Sequence, residues 1–405
     1  MLWIVSFFNY ADRSAITAVM PMLRTQYGFS AAELGLLSTA FLWVYSLAAP
    51  LGGFLGDRFP RKWIILGGLI FWSTVTGFTP WAGSLVMFVI LRGLTGLGEA
   101  FYYPAGTAMI SDYHSYDSRT RALSLHQTAV FAGGILGTTF AGYLADKYDW
   151  RCAFYLYGLA GIFLAFVLMK FMRQPKMATV VRPDNRARQV PLLGVFKTKT
   201  CLLISLVYAG ANFVCWALSV WIPTYLHDQY GMSLTQSAAI GTSSFLLSGL
   251  AAVLIGGFLA DWLVKRTRLA RFYLMASGLI LAAPFVYLCG LTRSVNVLVF
   301  AMISAGFLRG IFDSCIYAAM HDVMAPAERS TAVGMMNFIG FFGAGLAPYV
   351  IGVYAPRLGL GAAMGLTSVL YVAAGSLLLI FRGVIRQDIN RLDLCLKAAA
   401  SSTCN

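Results

Sequence analysis

Apolar runs recur along the whole chain, "LLISLVYAGANFVCWALSVWI" and "GLTSVLYVAAGSLLLIF" among them. Each is near the ~20 residues that carry a helix across ~30 Å of hydrocarbon at ~1.5 Å per residue. The apolar character is continuous rather than alternating, which predicts spanning helices and not the strands of a barrel. Twelve spans are expected, at about 1–23, 31–56, 62–82, 84–112, 121–146, 151–172, 199–226, 234–262, 270–291, 295–323, 330–356 and 360–382. One of them breaks the pattern sharply: "FFNYADRSAITAV" sets Asp12 beside Arg13 inside the first run. A charge at the centre of a membrane helix costs about 2.5–3.5 kcal/mol on insertion scales, so this pair needs mutual compensation or a task.

Composition supports the membrane reading. The chain is 59% hydrophobic and 11% charged, against roughly 25% charged in an average soluble domain. This is therefore an all-α integral membrane protein. The run from Met1 is followed by no small-residue cleavage pattern and reads as the first helix, not a signal peptide, with room for a short cytosolic extension ahead of Met1.

The formal charge of +14 does not signal nucleic acid, because the basic residues gather in alternate connections. "DRFPRK", "SRTR", the 173–199 segment, "KRTRLAR", "AERS" and the tail are rich, whereas the opposite connections hold only Arg24, Lys147, Arg151, Arg293 and Arg357. The positive-inside rule then places both termini in the cytoplasm, in the inner (plasma) membrane if the source is bacterial. The same basic loops can hold anionic lipid. The seven cysteines show no metal or disulfide spacing, and the sequence holds no cofactor motif.

The chain is duplicated. "QYGFSAAELG" from Gln26 matches "QYGMSLTQSA" from Gln229, and each copy ends in a "GGFLxD" element followed by basic residues. "LRG" recurs at 91–93 and 308–310. The expected organisation is a six-helix bundle over 1–172, a cytoplasmic linker over 173–198, a second bundle over 199–384 and a cytoplasmic tail over 385–405. Parallel repeats of this kind suit alternating access about a central cavity, in a protein expected to work as a monomer.

"GFLGDRFPRK" at 53–62 resembles the helix 2 to 3 signature of the major facilitator superfamily, with Pro60 where glycine is usual, and "GFLADWLVKR" at 257–266 is its degenerate second copy. "RGLTG" at 92–96 resembles the helix 4 motif. Within that superfamily, "NYADR" at 9–13 with "GLGEA" at 96–100 is similar to two groups, the anion:cation symporters of sugar acids and the Spinster-type lipid transporters. The resemblance implies a secondary transporter and implies that Asp12 and Glu99 are the proton-coupling groups.

Residue chemistry points the same way. Asp12 lies about 17 Å along its helix from Met1, near mid-bilayer, and Glu99 reaches a similar depth. A buried carboxylate beside a cation can be tuned to bind and release protons, while the planar fork of Arg13 suits a carboxylate or phosphate. Asn9, Tyr10, Tyr45, Tyr103, Gln127, Asn212, Trp216 and Asn337 are candidate substrate contacts with Arg13. Gly53, Asp57, Arg58, Arg61, Lys62, Gly257 and Asp261 fall at the rim and are candidates for gating. Arg92 is either a packing partner or a relay. Arg309 and Asp313, spaced i, i+4, read as a local structural pair with Asp313 as a reserve protonation site.

The expected function is proton-coupled symport of a small organic anion such as a sugar acid. The alternative is Spinster-like transport of a lysolipid or other amphiphile. An intramembrane enzyme is disfavoured because the chain has no H-E-x-x-H, no G-x-S-x-G and no Cys/His cluster, and a channel would have no use for duplicated gating loops.

Overall fold

The duplicated "QYG" tripeptides stop helices in both copies. In the computed structural model Gly28 and Gly231 take φ of 70° and 65°, the left-handed conformation that glycine adopts without steric cost. Their N–H groups donate to the carbonyls of Arg24 at 2.9 Å and His227 at 3.1 Å. The serine two residues on restarts the chain each time: Ser30 Oγ accepts from the Glu33 N–H and Ser233 Oγ from the Gln236 N–H, both at 3.2 Å. Ser30 and Glu33 close a full capping box. The repeat seen in the letters is thus a repeated helix stop and start.

The structure describes residues 1–113, 116–173, 192–325 and 328–402. They form α1 (Leu2–Tyr27), α2 (Ala31–Arg58), α3 (Arg61–Phe78), α4 (Leu85–Ala100), α5 (Tyr102–Tyr113), α6 (Tyr116–Lys147), α7 (Trp150–Phe171), α8 (Lys199–Tyr230), α9 (Leu234–Val264), α10 (Ala270–Leu291), α11 (Val295–Val323), α12 (Arg329–Leu358), α13 (Leu360–Leu366), α14 (Ser368–Ile380) and α15 (Arg382–Ser402). Among the described residues eleven segments are long and apolar enough to cross a membrane. The 26-residue α1 has the length without the apolarity, since it carries Asp12, Arg13 and Arg24. Most of the expected linker, 174–191, lies outside the described residues, and of the expected tail, residues 385–402 continue the helix that begins at Arg382.

Two predicted helices are broken. The fourth span divides at Phe101, because Pro104 in the first turn of α5 has no N–H to give the Ala100 carbonyl. The twelfth divides at Thr367, whose hydroxyl donates to the Met364 carbonyl at 2.6 Å. The first of these breaks comes two residues after Glu99.

Contacts divide the chain into two compact units. The first holds Met1–Arg182, Trp216–Ser243 and Gly345–Ala363; the second holds Pro183–Cys215, Ser244–Ala344 and Met364–Asn405. In the first unit α1 packs on α6 at backbone distance: a Cβ at Gly137 would stand 2.3 Å from Ala11 Cα. Small residues permit this approach where lipid offers no hydrophobic drive to associate. An apolar cluster of Ile65, Leu69, Trp72, Tyr102 and Met109 fills the space between α3, α5 and α7. In the second unit α10 packs on α11 and α14.

Candidate functional site

The first unit buries a four-charge network on α1 and α4. Asp12, Arg13, Arg92 and Glu99 are exposed by 3, 6, 3 and 0%. Arg13 donates from Nη2 to Glu99 Oε2 at 2.8 Å and from Nε to the same oxygen at 3.0 Å. Its Nη2 also reaches Asn9 Oδ1 at 3.5 Å. The rings of Tyr10, Phe41 and Tyr45 surround the guanidinium at 4.6, 4.9 and 4.6 Å, which favours a desolvated cation. Glu99 Oε1 has no hydrogen bond among the described residues.

Asp12 points elsewhere. Neighbouring residues on a helix are ~100° apart, and while Arg13 faces Glu99, Asp12 faces α3, where Thr76 Oγ1 donates to Asp12 Oδ2 at 2.5 Å. The other carboxylate oxygen has no hydrogen bond among the described residues. Arg92 bridges the two halves of the network: it acts electrostatically on both carboxylates, donates from Nη2 to the Arg13 carbonyl at 3.3 Å, and stacks on Phe41 at 4.8 Å. The sequence places Asp12, Arg13 and Glu99 at one depth, with Arg92 on the same stripe of α4 as Glu99, but does not single out Thr76, because a threonine on α3 carries no pattern that separates it from its neighbours.

The remaining candidates divide between the units. In the first, the Tyr103 hydroxyl donates to Gln127 Oε1 at 2.9 Å, and the adjacent Tyr102 hydroxyl donates to the Leu2 carbonyl at 2.7 Å and meets His126 Nε2 at 2.8 Å. That buried Tyr102–His126 contact was not expected from the sequence. Trp216, half-buried on α8, also belongs to the first unit. In the second, Arg309 holds Asp313 from Nε at 3.0 Å and Asn212 Oδ1 from Nη2 at 2.8 Å. Asn337 Oδ1 accepts from the Tyr317 hydroxyl at 3.3 Å, which meets that of Tyr208 at 3.4 Å. Among the described residues no cluster of His, Cys, Asp and Glu has the makings of a metal site.

A family model described as Major Facilitator Superfamily matches residues 2–348. The chain belongs to this superfamily. Protein spinster of Drosophila melanogaster is 29% identical over 381 residues, 88% of this chain and 61% of that protein, so the chain spans about three fifths of that relative. The hexuronate transporter of Bacillus subtilis (strain 168) is 24% identical over 367 residues, 86% of each. The probable L-galactonate transporter of Escherichia coli (strain K12) is 27% identical over 413 residues, 96% of this chain and 89% of that one. A bacterial homologue of the human lysosomal transporter Spinster, solved in an inward-facing, unoccupied conformation, matches with a TM-score of 0.84 over 96% of each chain at 22% identity, a likeness of fold. This member of the major facilitator superfamily is a multi-pass membrane transporter and not an enzyme.

The superfamily's paired signature loops are visible in part. Gly53, Asp57 and Arg58 have side chains outside the described residues. Lys62 Nζ donates to the Met169 carbonyl at 2.8 Å, and Arg61 stands at the start of α3. In the second copy Arg271 is the organising cation. It takes Asp322 at 2.6 and 2.7 Å and stands 3.6 Å from Asp261, the aspartate of the degenerate signature, while a Cβ at Gly257 would meet nothing.

At the end of the chain's first unit marked by the glycine turns, the two copies meet. Arg24 forms a two-pronged ion pair with Asp228 at 2.6 and 2.7 Å. The Asp146 carboxylate accepts from the N–H groups of Leu234 and Thr235 at 2.9 and 2.7 Å, where the helix dipole of α9 favours an anion. Sequence reasoning missed both, since each joins residues roughly 90 to 200 positions apart.

Proposed function

We propose that the chain is a proton-coupled symporter of a small organic anion, with a sugar acid as its substrate. The observation that carries this reading is the double donation of Arg13 to a single oxygen of buried Glu99. A proton taken up by Glu99 cancels its charge and frees the guanidinium fork for a substrate carboxylate; loss of the proton restores the ion pair and expels the anion. Asp12, held by Thr76 and within the field of Arg92, is the second proton-binding group of this cycle. Tyr10 and Tyr45 shape the anion pocket on the first unit, and Asn9, Tyr103, Gln127 and Trp216 of that unit supply further substrate contacts.

The names of the hexuronate and L-galactonate relatives supply the substrate class. In this reading the boundary between the six-helix halves lies at 173–198, both termini face the cytoplasm, and the Gly53–Lys62 and Gly257–Asp261 loops gate the cytoplasmic side. The Arg24–Asp228 end then faces outward. The protein works as a monomer.

One observation favours the second reading, transport of a lysolipid or similar amphiphile. An apolar cavity of about 610 Å³ opens on the first unit between α1, α6, α7 and α9, lined by Phe8, Leu136, Phe140, Tyr143 and Leu156, a fit for an acyl chain. Counterflow in proteoliposomes with L-galactonate and with sphingosine-1-phosphate separates the two. Exchange of the former alone supports the symporter; exchange of the latter alone replaces it.

A further inference from the structure

Glu99 stands at the weak end of its helix. α4 stops at Ala100, the Phe101 N–H turns back to the Glu99 carbonyl, and α5 restarts at Tyr102. The last turn of a helix lacks part of its hydrogen-bond ladder, so the backbone that carries this carboxylate needs support from outside. Two glycines let neighbours close on it. A Cβ at Gly98 would stand 3.0 Å from Trp72 Cβ on α3, and one at Gly52 on α2 would stand 2.6 Å from the Ala100 carbonyl oxygen.

Directional support comes from Tyr102. It is fully buried, and its hydroxyl donates to the Leu2 carbonyl of α1 at 2.7 Å and meets Nε2 of His126, 3% exposed on α6, at 2.8 Å. Ser6 of α1 lies on the same hydroxyl. A phenol has one proton to give. It goes to the Leu2 carbonyl, which can only accept, so by proton count His126 is the donor in the second bond and carries its hydrogen on Nε2. α1 is thereby tied to the α4–α5 chain twice, by Arg13 to Glu99 and by Leu2 to Tyr102. The two points on α1 are about 17 Å apart along its axis. One tie lets a helix pivot about it; two ties so far apart set both its depth and its angle.

We propose that Tyr102 and His126 are positioning residues for proton coupling: through the Leu2 tie they hold α1 at the angle that brings Arg13 onto Glu99. The inference rests on the reading of Glu99 as a proton-coupling group. Arg13 and Asp12 of α1, Tyr45 of α2 and Arg92 of α4 face Glu99, and Tyr102 and Tyr103 of α5 face His126. Arg13 is the cation that hydrogen-bonds Glu99, so a change in the angle of α1 alters how firmly Glu99 keeps a proton.

The test is the pH profile of counterflow from pH 5 to 8 in proteoliposomes, with L-galactonate, or with sphingosine-1-phosphate if only that is exchanged. Melting temperatures are taken on the same variants. Tyr102→Phe keeps the ring and loses both bonds, and is expected to displace the midpoint by about half a pH unit or more. His126→Leu removes the donor and is expected to displace it in the same direction. His126→Gln keeps an N–H in place of Nε2–H and is expected to match the wild type. On a Glu99→Gln background, Tyr102→Phe is expected to move nothing further.

A midpoint unmoved in both Tyr102→Phe and His126→Leu overturns the inference and leaves the pair a packing contact, whatever the melting temperatures. A displacement that persists on the Glu99→Gln background overturns it too, because the effect then does not pass through Glu99. If Tyr102→Phe does not fold, the contrast between His126→Leu and His126→Gln decides alone, and the same midpoint in the two overturns the inference. The reading beneath it is separable in this series. If Glu99→Gln itself leaves the wild-type profile unmoved, the coupling role falls and the inference with it; a profile moved by Glu99→Gln but by neither Tyr102→Phe nor His126→Leu leaves the coupling role standing and overturns the positioning alone.

Discussion

Arg13 places two of its donors, Nε and Nη2, on one oxygen of Glu99, at 3.0 and 2.8 Å, and leaves the other oxygen of that fully buried carboxylate without a hydrogen bond among the described residues. One oxygen carries the ion pair and its twin can carry a proton. Removing one partner of a buried pair strands the other, at a cost of about 3–5 kcal/mol. Glu99→Ala is therefore expected to lower the unfolding free energy in detergent by that order. Glu99→Gln keeps an oxygen acceptor for Arg13 and is expected to fold and to exchange substrate, without accumulating it.

The Asp12–Thr76 contact is the second adjustable element. A hydroxyl donating to an ionised carboxylate contributes about 1.5–3 kcal/mol more than no contact. Thr76→Val is expected to displace the pH profile of uptake, and Thr76→Ser, which restores the hydroxyl, is expected to return it. Uptake measured from pH 5 to 8 reads both; a packing role alone would change the maximum and not the profile.

The charges joining the two copies can be tested by reversal. Arg24 and Asp228 are 42% and 28% exposed, so water screens them and the pair contributes at most about 1 kcal/mol. That is small for stability, yet enough to bias an equilibrium between two conformers several-fold. Arg24→Asp and Asp228→Arg are each expected to slow uptake, and the double swap to recover it, with the single-variant defects diminishing at high salt.

Packing of α1 on α6 gives a prediction independent of transport. A methyl group at Gly137 would overlap the Ala11 backbone, so Gly137→Ala is expected to cost about 1–3 kcal/mol through forced backbone shifts. Gly67 on α3 meets nothing within 4 Å, and Gly67→Ala is expected to be neutral or to stabilise by about 0.5–1 kcal/mol. Melting temperatures of the two variants in one detergent make the comparison.

Much of the architecture is legible in the letters because a bilayer imposes a simple rule of length and apolarity. The "QYGxS" repeats announce a helix stop and start in physical terms, a left-handed glycine followed by a capping serine, and both are found at Gly28–Ser30 and Gly231–Ser233. The break at Phe101 follows from Pro104, whose effect a hydropathy pattern does not register. The site is legible only as depth. Sequence puts Asp12, Arg13 and Glu99 near one level, with Arg92 two helical turns from Glu99 on the same stripe of α4, but which charge takes which partner depends on helix rotation and on neighbours such as Thr76 and Asn212, which have no motif of their own. Contacts like Arg24–Asp228 join distant segments, and no local period encodes them.

The central claim is that Asp12 and Glu99 couple proton movement to anion movement through Arg13. Its most direct test is accumulation of L-galactonate in proteoliposomes under an inward proton gradient, with an internal pH dye recording proton entry. The wild type is expected to accumulate the anion and to carry protons with it, while Asp12→Asn and Glu99→Gln exchange it across the membrane without concentrating it. Undiminished gradient-driven accumulation in both variants would contradict the mechanism.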